Sequence, residues 1–274
     1  MHLSKPAMPG FRLSMGITIT WLSLIVLIPI IGVFVKSAGL GVAGYAKLFG
    51  SDRVLHALYL SFGAAFIAAV FNAVFGLLIA WVFVRYRFVG HRLLDAAIDL
   101  PFALPTAVAG IALAALYAPN GWLGEPLTRL GIELAFNPKG VVIALIFISL
   151  PFVVRTVEPV LREAEVSLEE AAATLGAGRW VTFRKVIFPT IFPALITGFT
   201  LAFARAIGEY GSVIFIAGNL PKVSEIAPLL IVIKLEEFDY AGATAVASTM
   251  LAVSFILLLL INALQSYTRR SQAR

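Results

Sequence analysis

The sequence predicts an all-α integral membrane protein of about six transmembrane helices, with a short amphipathic helix in the loop between the fourth and fifth. Three observations carry this. Hydrophobic residues make up 60% of the 274 positions. Charged residues make up 13%, against ~25% in soluble domains. The charges are also gathered into segments separated by uncharged stretches, and a mean hydropathy of +0.96 leaves too few polar groups to cover a water-facing surface. Cytosolic enzymes, secreted disulfide scaffolds and disordered tails are thereby excluded. The absence of cysteine removes disulfides and thiolate chemistry.

An α-helix needs about 20 mostly apolar residues to cross ~30 Å of hydrocarbon. The first span lies between Arg12 and Lys36, and the second between His56 and Arg85. A third follows Asp99, read as its N-cap, and ends near Pro119-Asn120. The fourth is short from Lys139 to Arg155, but Asn137-Pro138 supplies a helix start and Val157 to Leu161 extend its end. The fifth runs from about Ile187 to Ala217 with Arg205 and Glu209 inside it, and the sixth lies between Tyr240 and Thr268. The octet Ile226 to Ile233 is too short to span. The first apolar run exceeds the ~7–15 residues of a signal-peptide core and no A-x-A site follows, so it reads as retained.

Lysine and arginine placement sets the orientation. With the N-terminus in the cytoplasm, the inside segments carry thirteen basic residues, including Arg85, Arg87, Arg92, Arg155, Arg162 and Arg179. The outside segments carry seven: Lys36, Lys47, Arg53, Arg129, Lys139, Lys222 and Lys234. The positive-inside rule therefore predicts both termini in the cytoplasm. The net charge of +6 then reflects anchoring to anionic membrane lipid rather than nucleic acid.

No G-x-x-x-x-G-K-[ST] loop cradles a nucleotide, and no G-x-S-x-G or H-E-x-x-H occurs. His2, His56 and His91 are scattered, so neither a metal site nor a catalytic site is expected. Leu100-Pro101-Phe102 recurs as Leu150-Pro151-Phe152, read as helix-end prolines rather than a duplication.

The loop after the fourth span is the most informative segment. Ser167-Leu168-Glu169-Glu170 has the form of a capping box, with Ser167 as N-cap and Glu170 closing it. Leu168, Ala171, Ala172 and Leu175 fall on one helical face, and Gly176 is placed to end the helix. So short a helix is not stable alone in water. Its small, smooth face should dock into a groove, and a soluble partner is the better fit.

Glu170-Ala171-Ala172, then Gly176, then Val186-Ile187-Phe188-Pro189 resembles the EAA loop of ABC importer permeases, E-A-A, three residues, G, nine residues, I-x-L-P. Val186 and Phe188 stand where that pattern has Ile and Leu, and both remain apolar. The resemblance implies an ABC type I importer permease: a single transmembrane domain over residues 1–274, with a coupling loop at about 162–189. Leu168, Glu170, Ala171, Ala172, Leu175, Gly176 and Pro189 would form the ATPase coupling site.

A narrower resemblance covers nearly the whole chain. Pro9-Gly10-Phe11, Asp99 through Gly110, Pro151 through Val157, Gly208-Glu209-Tyr210-Gly211 and Ile214 through Asn219 are similar to bacterial sulfate/thiosulfate permeases of the T type. Leu104-Pro105-Thr106 and Phe215 through Asn219 favour T over the companion W type. Molybdate/tungstate permeases, which share the EAA loop and the G-E-[FY]-G region, are the alternative. The resemblance implies a multi-pass protein of the bacterial inner membrane, a pore half pairing with a second, W-type permease. Two ATPase subunits and a periplasmic sulfate-binding protein would complete the complex, with ATP used by the ATPases and no cofactor on this chain.

Arg205 and Glu209 are the only charges well inside a predicted span, and at i,i+4 they can meet on one face. Either Arg205 draws a tetrahedral dianion into the pore while Glu209 prevents a trap, or the two neutralise each other and brace the helix. Gly208, Gly211 and Gly218 suit close packing or a bend. Thr106, beside Pro105, is a candidate pore residue, because a proline frees backbone groups that need a polar cavity. Asn72 and Asn262 suit interhelical hydrogen bonds. An ion-coupled secondary anion transporter would also need intramembrane charges, but has no need of the EAA loop.

Overall fold

The computed structural model describes residues 10–164 and 166–272. The helices are α1 (Phe11–Leu22), α2 (Ile28–Ala38), α3 (Gly41–Phe49), α4 (Asp52–Arg85), α5 (His91–Ile98), α6 (Leu100–Ala103), α7 (Thr106–Tyr117) and α8 (Gly124–Arg129). They continue with α9 (Pro138–Glu163), α10 (Val166–Thr174), α11 (Arg179–Thr182), α12 (Phe188–Ile207), α13 (Val213–Ile216), α14 (Ala227–Glu236) and α15 (Tyr240–Gln272). Wider π turns at Ser23–Leu27 and Phe183–Ile187 join α1 to α2 and α11 to α12 without ending the helix.

Five helical stretches among the described residues are long and apolar enough to cross a membrane: Leu13–Ala38, Asp52–Arg85, Pro138–Glu163, Arg179–Ile207 and Tyr240–Ala263. The expected third span is not one helix. Pro105 forces the residue before it out of the helical region, and Leu104 is extended at φ −83°, ψ 136°. The segment is thus divided into α5, α6 and the twelve-residue α7, which at 1.5 Å per residue reaches only ~18 Å. Asp99 does stand in the N-cap position, before α6, but its side chain caps no amide and its carboxylate is engaged by Arg155 instead. The fifth span also stops earlier than expected, at Ile207, because the chain leaves the helix at Gly208. Pro151 lies inside α9 rather than at its end, and Phe152 meets Phe102 edge-on at 5.1 Å, so the two L-P-F copies touch.

The core is the bundle of α4, α9 and α12. Most of the buried residues of α4 are small: Ala57, Ser61, Ala64, Ala65, Ala68, Ala69, Gly76 and Ala80. Small residues let helix backbones approach where lipid supplies no hydrophobic drive for association. Val153 of α9 is the wedge, since a Cβ on Gly76 would stand 2.9 Å from its side chain and one on Gly198 of α12 2.9 Å from its Cα. Asn72 crosses the seam, donating to the Ile146 carbonyl at 3.0 Å and to Ser149 Oγ at 2.8 Å. Asn262, by contrast, faces outward. Asn137 caps α9 through its side-chain oxygen on the Lys139 amide at 2.8 Å, with Pro138 following as first helical residue. The first span lies outside this core, touching α15 through α2.

Candidate functional site

The coupling-loop residues lie together at one end of the bundle. Helix α10 begins at Val166, so Ser167 sits in its first turn and is not the N-cap; the residue before Val166 lies outside the described residues. The C-terminus is as the sequence implies. Gly176 adopts φ 81°, its amide bonds the Ala173 carbonyl at 2.9 Å, and the Ala177 amide bonds the Ala172 carbonyl at 3.0 Å. That pair of bonds is the Schellman closure, which needs the left-handed residue glycine supplies.

Helix α10 is tied to the body by its other side. Glu169 pairs with Arg85 in the last turn of α4. Four residues earlier Trp81 meets Phe183 edge-on at 5.6 Å, and the Arg85 guanidinium lies over the Trp81 ring. Leu168 also borders a recess of about 350 Å³ with Val160, Val186 and Ile187. The remaining face is open: Leu175 is 87% exposed and Leu168 50%. Glu170 and Ala171 are exposed and Ala172 is half-buried. Pro189 lies just after the π turn that joins α11 to α12, within the continuous helical stretch Arg179–Ile207.

The second cluster forms where α12 ends. Arg205 Nη1 donates to Glu209 Oε2 at 2.5 Å. The other carboxylate oxygen accepts from the Ser212 amide at 2.9 Å and Ser212 Oγ at 3.0 Å. The Glu209 side chain is 3% exposed and that of Arg205 33%. Glu209 is therefore fully engaged: it neutralises Arg205 and satisfies the turn that restarts the chain at α13. Gly208 has open space around it and serves as the helix stop, not as a packing contact.

The broken third segment rests on this turn. A Cβ on Gly110 would lie 2.3 Å from the Ser212 carbonyl oxygen, and one on Gly211 2.2 Å from Thr106 Oγ1. Thr106, half-buried at the start of α7, thus packs on Gly211, which follows Glu209 by two residues. Gly110→Ala is expected to push α7 off the turn at a cost of about 1–3 kcal/mol. Thermal unfolding of the purified protein checks this, and an unchanged midpoint would mean the contact relaxes freely.

Several ion pairs escaped the sequence reading, and in three of them an arginine holds a carboxylate more than fifty residues away. Arg155 of α9 grips Asp99 through Nε at 2.9 Å and Nη2 at 2.7 Å, and reaches Asp95 and Glu158 through Nη1 at 2.7 and 2.9 Å. Arg53 holds buried Glu225 through two bonds, at 2.8 and 2.6 Å. Arg85–Glu169 is the third. Asp95 and Asp99 at i,i+4 were a visible signal of a shared cation, but nothing local names Arg155, 56 residues away. Among the described residues no group of three or more His, Asp or Glu is placed to hold a metal.

Membrane-crossing helices around a small-residue core, with a short helix held out beyond their ends, are the frame on which the comparisons place a transport permease subunit. The chain belongs to the family of binding-protein-dependent transport system inner membrane components, whose pattern it matches over residues 72–273. It is 48% identical over 263 residues to the sulfate transport system permease protein CysT of Escherichia coli, covering 96% of this chain and 95% of that one. To the protein of the same name from Synechococcus elongatus it is 50% identical, covering 94% of each. In fold it resembles a chain of a bacterial ABC transporter that imports the acidic polysaccharide alginate, with TM-score 0.78 and 16% identity over 94% of this chain and 96% of that one. A second structure, of a bacterial alginate transporter with a pentasaccharide-bound periplasmic protein, gives TM-score 0.76 at 17% identity, covering 92% of each.

Proposed function

We propose that this chain is one half of the transmembrane pore of an ATP-driven importer for sulfate, with thiosulfate as a second substrate. The observation that carries the reading is its likeness to sulfate permeases along almost its full length. The partners are a second, W-type permease, two ATPase subunits and a periplasmic sulfate-binding protein. The membrane is the bacterial inner membrane, with both termini cytoplasmic.

The geometry supports a route for the work. The open face of Leu168, Ala171, Ala172 and Leu175 docks on an ATPase, and the residues behind it carry the motion inward. Glu169–Arg85 leads to α4, and Phe183 through Pro189 leads to α12. Because α4, α9 and α12 interlock at Val153, they move as one body, which suits alternating access by rocking rather than by bending. Arg205, one third exposed and only partly occupied by Glu209, supplies the positive charge for a passing dianion; Glu209 keeps that attraction weak enough for release.

Expression with its partners in cells lacking their own sulfate permeases tests the reading. Sulfate uptake that requires the ATPase is expected, and uptake that persists without it would favour an ion-coupled carrier. Uptake of molybdate in preference to sulfate would move the chain to the molybdate class. A reporter inserted after Asn120 within the whole chain is expected to report periplasm, and one fused after Arg270 cytoplasm; the reverse pattern refutes the orientation.

A further inference from the structure

The turn that leads from α4 into α5 borders a recess of about 770 Å³, closed on its far side by Arg162 of α9. Arg87, Arg92 and Arg162 line it and no carboxylate does. Arg162 is balanced by Glu158 at 2.5 Å. Arg87 and Arg92 form no ion pair with any described residue. Phe83 and Phe88 divide this recess from a second one of about 440 Å³, and both rings line both spaces. Every side chain lining the second is apolar, with Leu78 and Val82 on α4, Ala97 on α5 and Phe147 on α9. It follows α4 from Phe83 back to Phe75, eight residues or ~12 Å into the span.

A basic pocket at a helix end that opens into a carbon-lined trough along the helix has the shape of an amphiphile. A free anion would use only the pocket. A helix of another protein would fill the trough and leave two guanidinium groups uncompensated. We propose that this is a binding site for one anionic phospholipid of the phosphatidylglycerol type. Its phosphate sits among Arg87, Arg92 and Arg162, where guanidinium forks match phosphate oxygens, and one acyl chain lies in the trough. The lipid bears on one side of α5, while Asp95 on that helix and Asp99 just after it are gripped by Arg155. It thereby fixes the broken third segment against α4 and α9, and makes transport depend on the anionic lipid fraction.

The test is native mass spectrometry of the whole transporter taken from nanodiscs of phosphatidylcholine containing graded phosphatidylglycerol. One phosphatidylglycerol retained per copy of this chain, in preference to phosphatidylcholine, is expected. Each basic group near the surface contributes about five-fold, so Arg87→Gln with Arg92→Gln should weaken retention about 25-fold. Both residues are exposed, so the fold should not suffer. Ala97→Trp should expel the lipid by filling the trough, whereas Lys47→Gln, on α3 at the other end of the bundle, should change nothing. Wild-type retention by the double arginine variant, or equal retention of phosphatidylcholine, overturns the proposal. So does a cross-link from Ala97→Cys, placed in this cysteine-free chain, to the second permease, since that would give the trough to a protein. None of these readouts depends on which anion is transported, so failure here is distinct from failure of the sulfate reading.

Discussion

A transporter carrying Glu209→Ala is expected to be recovered in a small fraction of the wild-type yield, with a stability loss of about 3–5 kcal/mol, the cost of removing one partner from a buried ion pair. Glu209 is almost fully enclosed and serves three donors, so its loss strands the Arg205 guanidinium at membrane depth and leaves the Ser212 amide without an acceptor. The turn from 208 to 212 is also the seat of α7 through Gly110 and Gly211, so the damage spreads to the broken segment. Arg205→Ala should be milder. Its side chain is one third exposed, and Glu209 keeps both bonds to Ser212. That variant should assemble while losing sulfate uptake, and Arg205→Lys should keep part of the uptake because the point charge remains. Yield, thermal unfolding and uptake measured on the three variants separate bracing from guidance. A Glu209→Ala protein as stable as wild type would remove the bracing role, and full uptake by Arg205→Ala would remove the guiding one.

Leu175→Ala and Gly176→Val should abolish most uptake without impairing insertion. Leu175, the residue that follows α10, is 87% exposed, and burying a leucine contributes ~1.5–3 kcal/mol. Losing most of that lowers ATPase affinity by roughly ten- to a hundred-fold. Gly176→Val acts differently: a β-branched residue cannot hold φ 81° without strain, so the Schellman closure opens and α11 leaves α10 at a new angle. Ala172→Glu sets a charge on the same docking face. Copurification of the ATPase, uptake and membrane insertion are the three measurements. Normal uptake by both Gly176→Val and Ala172→Glu would refute the coupling role.

The spans that are single helices were legible because uncharged length is a one-dimensional property: α4, α9 and α15 lie where charge spacing puts them. The end of α10 was equally legible, because Gly176 acts on its neighbours alone. Pro105 was visible too, yet an uninterrupted apolar run outweighed it; in hydrocarbon a broken helix survives only when another part of the protein covers the break, and that cover, Gly211 and Ser212, lies about a hundred residues on. Ser167 misled for a similar reason. A capping signal describes a local preference, and α10 already includes Val166 and Ser167, while Glu170 of the expected box is exposed and its neighbour Glu169 pairs with Arg85. The Arg205–Glu209 contact followed from spacing, whereas Ser212 as the third member did not, since it depends on the chain turning back at Gly208.

The interrupted third segment also bears on the order in which the chain enters the bilayer. Insertion machinery tests helices roughly one at a time as they emerge, and the first span, apolar on every side, partitions unaided. Helix α7 does not reach across, and α5 arrives bearing Asp95 and Asp99, whose cation is on a helix not yet synthesised. The segment is therefore expected to settle only after α9 delivers Arg155, and its final seat exists only after Gly211 and Ser212 have been made. Chains released after residue 130 should leave Asn120 on the side of synthesis, whereas chains reaching beyond residue 217 should carry it across. That outcome would mean that maturation runs backwards at one point, with later helices completing the insertion of an earlier one.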